Sequence, residues 1–150
     1  MDYDLIAEAL AAAARTCTYD DPDGNPTLAL NAHGFARDEI DPPTFEVGEV
    51  EIGDDETFDD DFGSALESPQ YTCRLYVSRA SDGDLAHPLL RRFLRPSGPG
   101  SVKAALEADR TLGGLVDALV VAKRFGYGVY DVGGVDYLGA RFTVRVWGRG

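Results

Sequence analysis

One strand pattern near the end of the sequence constrains the fold more than any other feature. The run Leu138–Trp147 alternates, with Leu138, Ala140, Phe142, Val144 and Val146 on one side and Arg141, Thr143, Arg145 and Trp147 on the other. Such alternation is typical of a half-buried strand. The hairpin is predicted as Val129–Val132, a Gly133-Gly134 turn and a return strand Val135–Trp147. The chain therefore contains a sheet with one apolar face and one basic, aromatic face.

Other segments complete the set of predicted elements. Gln70–Arg79 alternates in the same way, with Tyr71, Cys73, Leu75 and Val77 on its apolar side. Further strands are predicted at Thr27–Asn31, at Thr44–Ile52 with a bend at Gly48, and at Val116–Lys123. Helices are predicted at Tyr3–Arg15, Leu85–Leu94 and Val102–Asp109. Their N-cap residues are predicted, in the same order, as Asp2 or Asp4, Asp82 or Asp84, and Ser101.

These elements predict one α+β domain over residues 1–150. We expect a mixed, largely antiparallel sheet of four to six strands, with two or three helices packed on one face. No apolar run approaches the roughly 20 residues that span a bilayer, and the acidic first residues differ from a secretory signal. We therefore expect no membrane association, and folding in the cytoplasm.

The charge of the chain is strongly polarised. Residues 1–72 hold nineteen Asp or Glu against two Lys or Arg, whereas residues 73–150 hold seven against twelve. An acidic protein binds the phosphate backbone of nucleic acids poorly, because such binding depends on clustered basic residues. The polarity favours a surface that repels DNA, or self-association in which acidic and basic faces meet.

No pattern of residues predicts catalysis, a cofactor or a metal site. The Gly98–Ser101 connector lacks the spacing of a phosphate-binding loop, and the aspartates near residue 60 lack EF-hand spacing. The serines lie in no nucleophile elbow. Cys17 and Cys73 are interpreted as two buried small side chains. We expect a protein that is not an enzyme and has no cofactor.

Three groups of residues are candidate contact surfaces. The basic, aromatic sheet face predicts either a contact surface or an ordinary exposed face. The hairpin region from Gly126 to Tyr137 is the second candidate, and an acidic segment between residues 54 and 61 is the third. The interface candidates are Arg74, Tyr76, Tyr127, Tyr130, Arg141, Arg145 and Trp147, and the acidic candidates are Asp54, Asp55, Glu56, Asp59, Asp60 and Asp61.

Several motifs in the second half of the chain resemble one protein family. They are Ser97–Glu107, Thr111–Gly114, Gly126–Gly128, Gly134–Ala140 and Phe142–Val144. Together they resemble the tail-terminator, or tail-completion, proteins of long-tailed actinobacterial phages and prophages. The likeness covers roughly residues 40–147 and is specific over 97–144. The acidic segment and Asn31–Ile40 are less typical of the family.

The resemblance implies a structural virion protein in the tail or neck. Such proteins form a ring, generally a hexamer, at the head-proximal end of the tail tube. The ring stops tube polymerisation and joins the tail to the head–tail connector protein. Its implied partners are other copies of the chain, the tail tube protein and the connector protein, while DNA passes through without specific binding. In such a ring the acidic segment either lines the channel or pairs with a basic neighbour.

Two other interpretations are kept open. The first is another virion position: a head–tail connector, a head-closure protein or a minor tail protein. The second is a non-viral binding module, or an enzyme of unknown type. Contacts within an assembled tail separate the virion positions, whereas a strictly monomeric chain absent from particles favours the second interpretation.

Overall fold

The computed structural model describes residues 1–19, 28–52, 66–98 and 100–149. Within these ranges the helices are α1 (Tyr3–Ala14), α2 (Gly83–Phe93) and α3 (Val102–Glu107), with a 3-10 turn at Ala80–Asp82. The strands are β1 (Thr18–Tyr19), β2 (Leu28–Ala29), β3 (Asn31–His33), β4 (Thr44–Glu51), β5 (Leu66–Glu67), β6 (Gln70–Arg79), β7 (Ala118–Val132) and β8 (Val135–Arg149).

The main sheet is mixed and largely antiparallel. Its strand order is β3-β4-β6-β8-β7; only β3 and β4 are parallel, and β5 pairs with the end of β8. The strands β1 and β2 form a separate small ribbon. The predicted α+β class is confirmed.

One apolar face of the sheet carries the core. It includes Leu75 from β6 and Phe142 from β8, and it packs against Leu10, Leu90 and Leu106 from the three helices. The alternation in β6 and β8 therefore puts the apolar side chains of both strands on the face that packs against the helices, as predicted. Cys17 and Cys73 are buried free thiols, as expected, and burial raises the pKa of Cys17 to about 11.

The predicted side-chain caps are confirmed at the N-termini of two of the three helices. The Asp2 carboxylate accepts hydrogen bonds from the backbone of Asp4 and Leu5 at the start of α1. The Ser101 hydroxyl accepts one from Ala104 at the start of α3. Asp82 precedes α2 but makes no capping bond, since its carboxylate accepts from the Ser78 hydroxyl instead.

Three strand predictions are wrong in extent. Thr27–Asn31 is not one strand, because the chain leaves the β1–β2 ribbon at Leu30, whose side chain is buried, and enters the main sheet as β3. The separate strands Val116–Lys123 and Val129–Val132 form one fifteen-residue strand, β7. Gly126, with φ of 68°, and two register shifts accommodate residues 124–128 within it. The predicted bend near Gly48 is confirmed as a register shift in β4.

Candidate interaction surfaces

The predicted basic, aromatic face lies on the side of the sheet away from the helices. Along its central row, Glu46, Arg74, Arg141 and Phe125 are cross-strand neighbours on β4, β6, β8 and β7. Residues of one row share a face, so this row is continuous across the sheet. We call the patch of Arg74, Tyr76, Tyr130 and Arg141 the arginine–tyrosine face.

Arg141 is held between two tyrosine rings. Its guanidinium carbon lies 3.7 Å from the ring centre of Tyr130 and 5.3 Å from that of Tyr76. Its Nη2 also donates to the Tyr76 hydroxyl at 3.4 Å. Stacking on two rings fixes the guanidinium in place while leaving it cationic. The position suits recognition of a carboxylate or an aromatic group on a partner.

Tyr76 lies beneath this surface. Its side chain is only 2% exposed, and the rings of Tyr130 and Tyr137 pack against it at 6.3 and 6.0 Å. It therefore positions Arg141 and offers little surface of its own. Arg74 is half-buried and forms an ion pair with Glu49, so part of its charge is already compensated.

Arg145 and Trp147 form a second patch near the end of β8. The Arg145 guanidinium carbon lies 5.1 Å from the centre of the Trp147 ring, and its Nε donates to the buried Ser68 hydroxyl at 3.0 Å. Arg145 is thereby in contact with both the Trp147 ring and Ser68. The two residues share the predicted face with the arginine–tyrosine face.

Glu46 is a buried acid that the sequence did not reveal. Its side chain is 1% exposed, and its Oε2 accepts a hydrogen bond from the Arg37 backbone at 2.9 Å. Burial raises the pKa of this carboxyl, although the Arg37 hydrogen bond and the charges of Arg74 and Arg141 act in the opposite direction. Arg37 lies in a segment without a periodic pattern, so no sequence signal predicted its contact with Glu46.

Glu46 should make stability depend on pH. Since its folded pKa lies above its unfolded value, the native state binds the proton more tightly than the unfolded state. The contribution of Glu46 to wild-type stability is therefore complete when its carboxyl is protonated, and it is lost as pH rises from about 4.3 through the folded pKa. We expect Glu46→Gln to remove this pH-dependent loss. The free energy of unfolding of the variant should therefore increase relative to that of wild type as pH rises through this window.

Urea unfolding from about pH 4 to about pH 8 measures this difference. The expected result is a free energy of unfolding, variant minus wild type, that increases with pH in the window and is level above it. A difference that falls as pH rises would mean that the arginines stabilise the ionised carboxylate more than burial penalises it.

Tyr127 belongs to a different surface from Tyr130. The Tyr127 ring stacks on His87 of α2, with ring centres 5.6 Å apart, and the Tyr127 hydroxyl hydrogen-bonds to His87 Nδ1. An open pocket of about 350 Å³ adjoins it, lined by Leu94, Arg124, Phe125 and Tyr127. Arg124 is fixed there, because its Nη1 donates to the Leu94 carbonyl at 2.6 Å. The predicted interface residues thus divide between the sheet face and the outer edge of β7.

The predicted acidic residues Asp54, Asp55, Glu56, Asp59, Asp60 and Asp61 lie outside the described residues. Across the described ranges, no group of three or more His, Cys, Asp or Glu side chains is placed to hold a metal ion. In the same part of the chain, no helix is long and apolar enough to cross a bilayer.

Comparison with known proteins adds no family assignment. No protein-family model matches the sequence, and no curated protein matches it significantly. The functional interpretation therefore depends on the residues and surfaces described above.

Proposed function

We propose that this chain is the tail-terminator subunit of a long-tailed phage or prophage. In this proposal, copies of the chain form a hexameric ring at the head-proximal end of the tail tube. The ring stops tube polymerisation, contacts the tail tube protein on one side and the head–tail connector protein on the other, and lets DNA pass without specific binding. The observation that carries the proposal is the resemblance over residues 97–144.

The position of these residues in the fold supports a structural role. They include α3 and most of the β7–β8 hairpin, which supplies one whole edge of the main sheet. Gly133 and Gly134, at the hairpin turn, have φ of 60° and 83°, which suits a two-residue turn between twisted strands. Gly133 and Gly134 thus serve the shape of the hairpin.

The distribution of charge supports assembly into a ring. Subunits of a ring meet through two different surfaces, so each subunit must carry both halves of the contact. This chain carries a net negative first half and a net positive second half. An overall charge of −12 also opposes adhesion of DNA to the ring.

Deleting the gene from the genome that encodes this chain tests the proposal. We expect tubes of uncontrolled length and heads that stay separate from tails, with both defects repaired when the chain is supplied in trans. Tails of normal length that fail to join heads would indicate a head-closure or connector role. Particles that form normally without the chain would refute a virion role.

A further inference from the structure

Among the described residues, two stretches of strand on opposite sides of the main sheet have a pairing strand on one side only. On one side, the start of β7 is covered, because the Val121 N–H donates to the Glu107 carboxylate of α3 at 2.9 Å. Beyond it, Lys123–Val129 is largely exposed, and no further strand of the described residues pairs there. We call this segment the β7 edge.

The other open edge belongs to β4. Its partner β3 covers only Thr44–Glu46, so Gly48–Glu51 has a strand, β6, on one side only within the described ranges. We call Gly48–Glu51 the β4 edge. Exposed strand edges present unpaired backbone donors and acceptors, which bind another strand readily unless something opposes it.

Both edges carry large exposed apolar side chains. On the β7 edge, Tyr127 is 44% exposed and Val129 57% exposed, and Phe125 lies beside them. At the β4 edge, Val50 is exposed and Ile52, just past the strand, is 49% exposed. Apolar groups on an open edge favour a partner that buries them.

The charges on the two edges differ in sign. Lys123 lies on the β7 edge beside Arg124, whose guanidinium already donates to the Leu94 carbonyl. Glu51 lies on the β4 edge beside Glu49, which is already paired with Arg74 of the same subunit. By register, Lys123 is opposite Thr143 and Glu51 is opposite Gln70, which puts Lys123 and Glu51 on the same face of the sheet. Like charges oppose pairing of either edge with itself, whereas opposite charges favour pairing of one edge with the other.

We propose that the β7 edge of one copy of this chain pairs with the β4 edge of the next copy, so that the sheet continues from subunit to subunit. The contact is heterologous, because it joins two different surfaces, and a series of such contacts closes into a ring when the rotation between copies permits. The pairing deepens the proposed function by assigning the subunit interface, and it rests on that function only for closure of the ring.

Two single charge reversals and their mixture test the pairing. Lys123→Glu gives a chain with acidic groups at both edges, and Glu51→Lys gives a chain with a lysine at both. Neither side chain has an ion-pair partner in the described residues, so each reversal breaks no ion pair within that part of the subunit. Arg79→Glu, an exposed position at the end of β6, is the matched control.

Sedimentation of the full chain from about 1 μM to about 1 mM gives the readout, since weak subunit contacts have dissociation constants in this range. We expect wild type and the control to self-associate, and each single reversal to weaken association by roughly tenfold as attraction becomes repulsion. An equimolar mixture of the two reversed chains should recover it, because the glutamate introduced on the β7 edge of one chain then meets the lysine introduced on the β4 edge of the other. High salt should weaken the wild-type contact.

Several results would overturn the pairing. One is a wild-type chain that stays monomeric over the whole concentration range. Another is a pair of reversed chains that associate as the control does. The third is an equimolar mixture that associates no more tightly than either reversed chain alone. Association weakened by Lys123→Glu but unaffected by Glu51→Lys would assign the β7 edge a different partner surface. Because this test uses the isolated chain and gene deletion uses the particle, either proposal can fail while the other stands.

Discussion

Replacing Phe142 with alanine should lower the free energy of unfolding by about 3–5 kcal/mol. Phe142 is fully buried in the centre of β8, and its ring meets that of Phe45 edge to face with centres 6.0 Å apart. The substitution removes apolar contacts and leaves a cavity at the point where the sheet packs on the helices. Urea unfolding monitored by circular dichroism measures the loss.

Phe35→Ala is the matched control for this prediction. It makes the same chemical change at a side chain that is 61% exposed, and we expect a change of less than about 0.5 kcal/mol. Equal losses in the two variants would contradict the placement of Phe142 in the core.

Gly139→Ala should cost about 3 kcal/mol, in the upper range for overpacking. A Cβ at this position would lie 2.1 Å from the Leu75 carbonyl oxygen and 3.4 Å from the Tyr76 ring. Because the first neighbour is backbone, relief requires β6 and β8 to separate. The change should also displace Tyr76 from beneath Arg141, so it disturbs the arginine–tyrosine face together with the fold.

Gly128→Ala is the control, because Gly128 is the cross-strand partner of Gly139 on β7. There a Cβ meets nothing closer than 3.9 Å. We expect this variant to be neutral or stabilised by up to about 1 kcal/mol, since alanine loses less backbone entropy than glycine. A Gly139→Ala protein as stable as Gly128→Ala would mean that β6 and β8 lie farther apart than described.

Local patterns were sufficient for the elements that face the core. The alternation in β6 and β8 predicted both strands and their apolar faces, because period-two burial leaves a direct trace in the sequence. The caps at Asp2 and Ser101 were equally visible, since capping needs a particular side chain at one position.

The failures have a common physical origin in contacts made far along the chain. Residues 124–128, which contain two glycines, separate the predicted strands Val116–Lys123 and Val129–Val132, yet pairing with β8 makes one continuous strand of them. Tyr76 was predicted as a contact residue, but Tyr130 and Tyr137 cover it from the following hairpin. Glu46 follows the alternation of β4 onto the outer face, yet it is buried there between β3 and β6 and accepts a hydrogen bond from the Arg37 backbone.

For the candidate surfaces too, local patterns predicted some features, whereas contacts between distant parts of the chain determined others. Sequence alternation correctly put Arg74, Arg141 and Arg145 on one face, since that depends only on strand period. It could not distinguish Tyr130, which stacks on Arg141, from Tyr127, which stacks on His87 of a distant helix. The opposite charges of the two sheet edges became visible only once the strand order was known.

A cryo-electron microscopy structure of the neck of the assembled particle tests the proposed function most directly. We expect this chain to form a hexameric ring between the last ring of tail tube protein and the head–tail connector protein. Within that ring, the β7 edge of each copy should lie beside the β4 edge of its neighbour. A different protein at that position, with this chain elsewhere in the particle or absent from it, would contradict the tail-terminator assignment.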